Sequence, residues 1–413
     1  MVFCAAVGQL ACDSQKPAPT NPIDAQLSDL ANCSGVAEYQ HSLKKVVLSL
    51  SIGDTSLALQ HSIMSYLPEY TEILLLTPDV LVDWVTREVE GKPYSSRCRI
   101  VPFETVKITD GRFFLVRPEK RQLVQLDAEG SDRARYSSTQ WAQDLFEVMK
   151  RPGGETVLQI SEVYKYYSSV AEKKNASVVA DNGYLKEISV FDSEVVRGPL
   201  VFQGGNILYS EAMGRRTVFC GGDVLNKTRM VWGSLLGEEL PDSRILEMIE
   251  TIFDADEVIV ASIDAGDRRQ PELLYHLDQA MIPLDGGVVG LARLVHETSA
   301  EHEEDAEEEQ VLQYLEALRK KLSSSGFKII DIDIAANNLK RYQHYVNAIP
   351  FVDLTTQQKT LLMPVFSEQS DFEQEIVKRN IETFEAAGYK VIPVPTEADK
   401  GKGGIHCLVN VIE

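Results

Sequence analysis

The stretch DFEQEIVKRNIETFEAAG at 371–388, followed directly by YKVIPVP at 389–395, carries the reading of the fold. Phe372, Ile376, Ile381, Phe384 and Ala387 approximate an apolar stripe at helical spacing. Gly388 supplies the stop that a helix C-terminus favours. The next seven residues then run apolar, as a buried strand does. The same plan recurs upstream: EEEQVLQYLEALRKKL at 307–322 precedes FKIIDIDI at 327–334, with Gly326 between them. SRILEMIETIF at 243–253 precedes EVIVASI at 257–263, and VLVDWVTREVE at 80–90 precedes CRIVPF at 98–103. A helix near 56–67 precedes EILLLTP at 72–78, giving five helix–strand units in all. Helices alternating with strands predict an α/β protein. By itself the alternation fits a doubly wound sheet as well as a radial repeat.

Between the second and third units lies an irregular stretch, 104–235, with strand candidates GRFFLVRP, TVLQIS, ISVFD and TVFCGG. It has room for loops that shape a cleft. No linker divides the chain, so a flexible lead-in over 1–40 and a single domain over 41–413 are expected.

The 413 residues carry 62 acidic and 41 basic side chains, a formal charge of −21. That balance argues against nucleic acid and against an anionic membrane surface. It is compatible with a cationic partner, although solubility explains the total equally well. The six cysteines are too sparse for a disulfide scaffold and form no CxxC pair. The first residues lack a basic n-region, so a cytoplasmic location is favoured over export. The acidic run HETSAEHEEDAEEEQ at 296–310 lacks the spacing of a calcium loop and reads as a solvated helix start.

Four segments carry candidate chemistry. In TQWAQDLFEVMK at 139–150, Asp144 stands near Trp141, where a carboxylate beside an indole could clamp a planar cation. In GPLVFQGGNILYS at 198–210, Gln203, Gly204, Gly205 and Asn206 form a turn that admits close backbone approach. In LLYHLDQAMIPLDGG at 273–287, His276 and Asp278 are two apart and would share one side of an extended strand. In GKGGIHCLVNVIE at 401–413, the thiol of Cys407 follows Gly403 and Gly404 at the entry to a short apolar strand. His406, adjacent to it, is expected to point away, leaving His276 as the acid/base. Taken singly, each segment also reads as ordinary structure: an edge strand, a hairpin turn, an alternating strand, a buried inert cysteine.

Together, in this order, the four segments resemble the guanidino-group-modifying, or pentein, superfamily, closest in motifs to the protein-arginine and agmatine deiminases. The glycine-led thiol matches Gly403–Cys407, the HxD motif matches His276 and Asp278, and the substrate carboxylate matches Asp144. The resemblance implies a pseudo-fivefold α/β propeller of ββαβ modules. It implies a cysteine-dependent hydrolase with Cys407, His276, Asp144 and Asp278 as catalytic residues. Trp141, Gln203, Gly204, Asn206 and Gly404 would bind the substrate. No organic cofactor and no metal are implied. The partner would be a guanidine-bearing small molecule or a protein arginine side chain, and a homo-oligomer is allowed. Two alternatives stand beside the deiminase: an amidinotransferase, suggested by the sequence around His276, and a catalytically weak binding protein. The latter is motivated by Gln203, where many deiminases have a glutamate that pairs with the histidine. A neutral amide cannot stabilise an imidazolium as a carboxylate does.

Overall fold

The computed structural model describes residues 21–50, 56–103, 114–117, 122–125, 141–161, 164–167, 177–180, 185, 191–237, 239–263, 270–297, 306–367, 369–397 and 403–413. Its framework is one strand plan used repeatedly: an antiparallel pair, then a parallel neighbour. Ile207–Ala212 pairs antiparallel with Arg215–Gly221, which pairs parallel with Glu257–Ala261. Met281–Leu284, Val288–Val295 and Lys328–Ala335 repeat it, and so do Ile349–Val352, Lys359–Phe366 and Lys390–Thr396. A parallel pair needs a crossover, and a helix supplies it. The helix Ala306–Ser324 bridges Val288–Val295 to Lys328–Ala335, and Asp371–Ala386 bridges Lys359–Phe366 to Lys390–Thr396.

The helix Asp371–Ala386 shows why the sequence signal was good and where it was inexact. Its buried positions are Glu373, Ile376, Asn380 and Phe384, spaced three, four and four apart. Two of them are polar. Glu373 closes a capping box with Ser370 and pairs with Arg341. Asn380 accepts from Asp333 N at 2.8 Å and donates to Asp333 O at 2.8 Å, locking helix to strand. An apolar count alone therefore rotates the buried face slightly. The acidic segment behaves similarly: Glu308 is fully buried and pairs with Lys340 at 2.9 Å, so not every acid there is solvated.

The five helix–strand units do not map one to one onto sheets. The first two share a single sheet, ordered Asn410–Val411, Lys45–Ser49, Glu72–Pro78, Cys98–Phe103. A fifth sheet with the same plan comes from Glu147–Lys150 antiparallel to Thr156–Ile160, itself parallel to Glu194–Arg197. Its crossover lies largely outside the described residues, and its strands are only four or five residues long, too short for their spacing to show how they pair. Among the earlier strand candidates, Phe114–Arg117, Thr156–Ile160 and Arg215–Gly221 are strands, whereas most of 188–192 lies outside the described residues.

The lead-in expected over 1–40 is corrected for residues 21–40. Asn21 caps the helix Pro22–Asp29, and Ile23, Leu30, Cys33, Ala37 and Tyr39 are buried in the same core cluster as Ile207, Trp232 and Phe253. Regularly spaced apolar residues were too few here to signal a helix, but each anchors against a preformed surface. Residues 1–20 lie outside the described residues. Among the described residues no helix is long and apolar enough to cross a membrane.

Candidate active site

The segments singled out above meet at one place, each in a turn just ahead of a strand. Asp144 lies in the 3-10 turn Ala142–Leu145 just before Glu147–Lys150. Gln203 precedes the turn Gly204–Asn206, which leads into Ile207–Ala212. His276 caps the turn Leu277–Gln279 ahead of Met281–Leu284. Cys407 sits in the helical turn Ile405–Leu408 ahead of Asn410–Val411. The extended conformation expected for His276–Asp278 and for Cys407 is therefore replaced by tight turns. The side chains still converge, because such turns direct several neighbouring groups to one point.

The four candidate groups are nearly enclosed. Asp144 and Asp278 are each 2 % exposed, Cys407 3 % and His276 4 %. Donor atoms of His276, Asp278 and Cys407 lie within 4.8 Å of one another. The Cys407 thiol donates to Asp278 Oδ2 at 3.3 Å. His276 Nδ1 stands 3.9 Å from Asp144 Oδ1, and His276 Nε2 lies 3.1 Å from Gln203 Oε1.

Glycine is required at several positions by space alone. A Cβ on Gly205 would fall 2.9 Å from both Asp278 Oδ2 and His276 Nδ1, and one on Gly204 would meet the Gln143 carbonyl oxygen. A Cβ on Gly403 would press on the Trp141 indole at 2.9 Å, so the indole packs closely against the backbone leading to Cys407. Asn206 braces the histidine segment: its Oδ1 accepts from Leu277 N at 3.0 Å and its Nδ2 donates to Tyr275 O at 3.4 Å.

Three residues were missed in the sequence. Asn347 donates from Nδ2 to Cys407 Sγ at 3.2 Å and to Asp278 O at 3.3 Å, and its Oδ1 accepts from Cys407 N at 3.3 Å. It also explains Gly404, whose Cβ would lie 2.4 Å from Asn347 Oδ1. His344, three residues earlier, is fully buried, and neither ring nitrogen has a hydrogen-bond partner among the described residues. Glu38, from the segment read as a lead-in, lies 2.8 Å from His406 Nε2. None of the three stands in a motif with glycines or paired polar residues. His406 does not simply point away: its Nδ1 is 2.8 Å from Asp278 Oδ2, so it meets the thiol through a shared carboxylate.

The electrostatics follow from enclosure. Burial, and then the carboxylates of Asp278 and Asp144, hold the Cys407 thiol well above its ordinary range, against the pull of hydrogen bonds from Gly404 and Asn347. Burial would also raise Asp278, but its bond to His406 and the fields of His406 and His276 bring it below the usual carboxylate value. Burial disfavours a charge on His406, yet Glu38 and Asp278 outweigh it and raise the imidazolium to about 10. Glu147 is pushed well above the carboxylate range by burial and then by Glu38. Burial lowers His344 to about 4.

With this geometry in hand, solved structures place the architecture. Agmatine deiminase from C. jejuni superposes with a TM-score of 0.56 at 14% identity, covering 92% of this chain and 95% of that enzyme. The chain shares the fold of a deiminase. A cysteine-to-serine form of the same enzyme with substrate bound gives 0.55 at 14% identity, over 92% and 95% of the two chains. A Porphyromonas gingivalis protein provisionally assigned as an arginine deiminase gives 0.57 at 14% identity, over 92% and 97%. No protein-family model and no curated protein sequence matches. The resemblance read from four short motifs is thus borne out at the level of the fold.

Proposed function

We propose that this protein is a guanidine deiminase that works through a covalent intermediate on Cys407. The convergence of thiol, imidazole and two carboxylates in one enclosed site carries this reading. A guanidinium is flat, permanently charged and rich in N–H donors, so paired carboxylates suit it. Asp278 Oδ1 and His276 Nδ1 are buried without hydrogen-bond partners among the described residues. Leaving such atoms unpaired costs about 1–3 kcal/mol each, and a bound guanidinium would supply the missing donor to the carboxylate. The five sheets of one plan support a propeller arrangement about this point.

Asp144 and Asp278 hold the guanidinium and aim its central carbon at Sγ. The bound cation opposes the two carboxylates that raise the thiol, so substrate binding itself favours thiolate. The proton leaves Sγ for His276, and sulfur forms a bond to the carbon, giving a tetrahedral adduct. His276 returns that proton to the departing nitrogen, the C–N bond breaks, and ammonia leaves an S-amidino cation. His276 then takes a proton from water as the oxygen attacks. Collapse breaks the C–S bond as the new hydroxyl passes its proton to the leaving sulfur, and His276 gives its own proton to solvent, releasing the ureido product and the thiol. Asn347 steadies the sulfur throughout. Gln203 holds His276 Nε2 with a neutral oxygen, so the orientation of the ring is kept without a second charge.

The names of the structural neighbours support agmatine or arginine as substrates. The test is mass spectrometry of agmatine, arginine and an arginine peptide after incubation. Ureido product with ammonia release is expected. Amidino transfer to an added amine would make the protein an amidinotransferase, and unchanged substrates together with no labelling of Cys407 by a haloacetamidine would make it a binding protein.

A further inference from the structure

The segment just before Lys45–Ser49 is pinned on both sides. Tyr39 Oη donates to Glu211 O at 2.9 Å and accepts from Glu211 N at 2.9 Å, while Val352 N donates to His41 O at 2.9 Å. Ala37 and Tyr39 are buried, so the 3-10 turn Glu38–Gln40 cannot drift. That turn delivers Glu38 Oε1 to within 2.8 Å of His406 Nε2. The other ring nitrogen of His406 is 2.8 Å from Asp278 Oδ2, which accepts the Cys407 thiol proton at 3.3 Å. A continuous line of short contacts thus runs from Glu38, 368 positions from His406 in sequence, to the reactive sulfur.

Resting on the deiminase reading, we propose that Glu38 is a positioning residue that acts through His406 to keep Asp278 ionised and aimed at the guanidinium.

The physical reason is the competition at His406. It is enclosed, and an imidazolium there survives only because carboxylates flank both nitrogens. The groups facing it are Glu38 and Asp278 in direct contact, Glu147 and His41 across a cavity of about 40 Å³, and the neighbouring Cys407. Glu147 is raised well above the carboxylate range and His41 is lowered to about 4, in both cases chiefly by burial, so neither substitutes for Glu38 at neutral pH. The cavity has room for a few ordered waters, which cannot replace a fixed negative charge. Remove the charge of Glu38 and His406 loses its proton at lower pH. A neutral His406 offers Asp278 a weaker bond, so burial makes that carboxyl easier to protonate and its oxygen is held less firmly; a neutral or misaimed carboxyl binds the substrate cation less well. Asp278 binds in the ground state, so the effect falls on KM more than on kcat.

The test uses the full chain with Glu38→Gln and, as a milder change that keeps the charge, Glu38→Asp. Histidine-labelled NMR follows the charge of His406, and steady-state kinetics on agmatine and arginine give kcat and KM from neutral pH to about 10. In the wild type the His406 signal stays that of an imidazolium through neutral pH. In Glu38→Gln it titrates at least about one pH unit lower. The alkaline limb of kcat/KM moves down with it, KM rises about tenfold, and Glu38→Asp recovers part of both. Superimposable titrations and pH profiles in folded Glu38→Gln would overturn the proposal. A wild type that turns over no guanidine would sink the deiminase reading alone, because the NMR titration still decides the coupling.

Discussion

Replacing Asn347 with alanine probes the centre most directly, because one side chain makes three contacts there. Its Nδ2 donates to Cys407 Sγ at 3.2 Å and to Asp278 O at 3.3 Å, and its Oδ1 accepts from Cys407 N at 3.3 Å. In the proposed mechanism the sulfur is anionic during turnover, and a hydrogen bond to a charged acceptor is worth about 1.5–3 kcal/mol. At about 1.4 kcal/mol per decade, its loss lowers kcat/KM by roughly 10- to 150-fold. Stability falls as well, by about 1–3 kcal/mol, since Cys407 N and Asp278 O lose a buried partner. The two effects separate in experiment: denaturant unfolding reads the second, while kinetics on the folded fraction read the first. A further readout concerns the thiol alone. Asn347 is one of the groups that pull the Cys407 thiol down against burial and the carboxylates of Asp278 and Asp144. Its removal therefore shifts the curve of haloacetamidine labelling against pH towards higher pH. Asn347→Asp keeps the shape but presents a carboxylate to sulfur, and falls below the alanine variant. If folded Asn347→Ala keeps kcat/KM within about twofold and labels along the wild-type curve, the role assigned to Asn347 is wrong.

Cys407→Ala abolishes turnover while circular dichroism stays native; unchanged rates would end the covalent mechanism. Asp144→Asn raises KM for the guanidine substrate, and unaltered kinetics would remove Asp144 from the site. Gly205→Ala, whose new methyl would meet Asp278 and His276 at 2.9 Å, lowers kcat by at least about 100-fold with the fold retained; wild-type kcat would show that the turn relaxes freely. The raised pKa of His406 contributes stability that is fully present below its unfolded value and lost as pH climbs through about 10. That contribution is on the order of a few kcal/mol, so denaturant midpoints should fall between neutral and strongly alkaline pH. The depressed Asp278 acts oppositely, its contribution being lost as pH falls through its lowered value. A flat alkaline profile would contradict the buried imidazolium.

Helix–strand units were legible where periodicity was strong, as in Asp371–Ala386 leading to Lys390–Thr396. The sheet of Glu147–Lys150, Thr156–Ile160 and Glu194–Arg197 was not, because strands of four or five residues are too short for their spacing to reveal a pairing. Motif residues such as Gly205, His276, Asp278 and Cys407 stood out because close packing and proton chemistry demand rare residue types at short spacing. Asn347, His344 and Glu38 offered no such spacing: an isolated Asn, His or Glu in a sequence is indistinguishable from a surface residue.

What the sequence by itself determined was local: which segments turn helical, which run as strands, and where glycine, thiol and imidazole crowd together. Periodicity, capping and steric demand act over a few residues, so a linear text records them. Only the tertiary structure decided the pairings across hundreds of residues, such as Glu38 with His406 and Asn347 with Cys407. Those depend on how sheet edges meet, and with them come the enclosure that raises the thiol and the paired charges that, against enclosure, lower Asp278 and keep His406 charged. Burial and proximity are properties of the packed chain, and they set the electrostatics of this site.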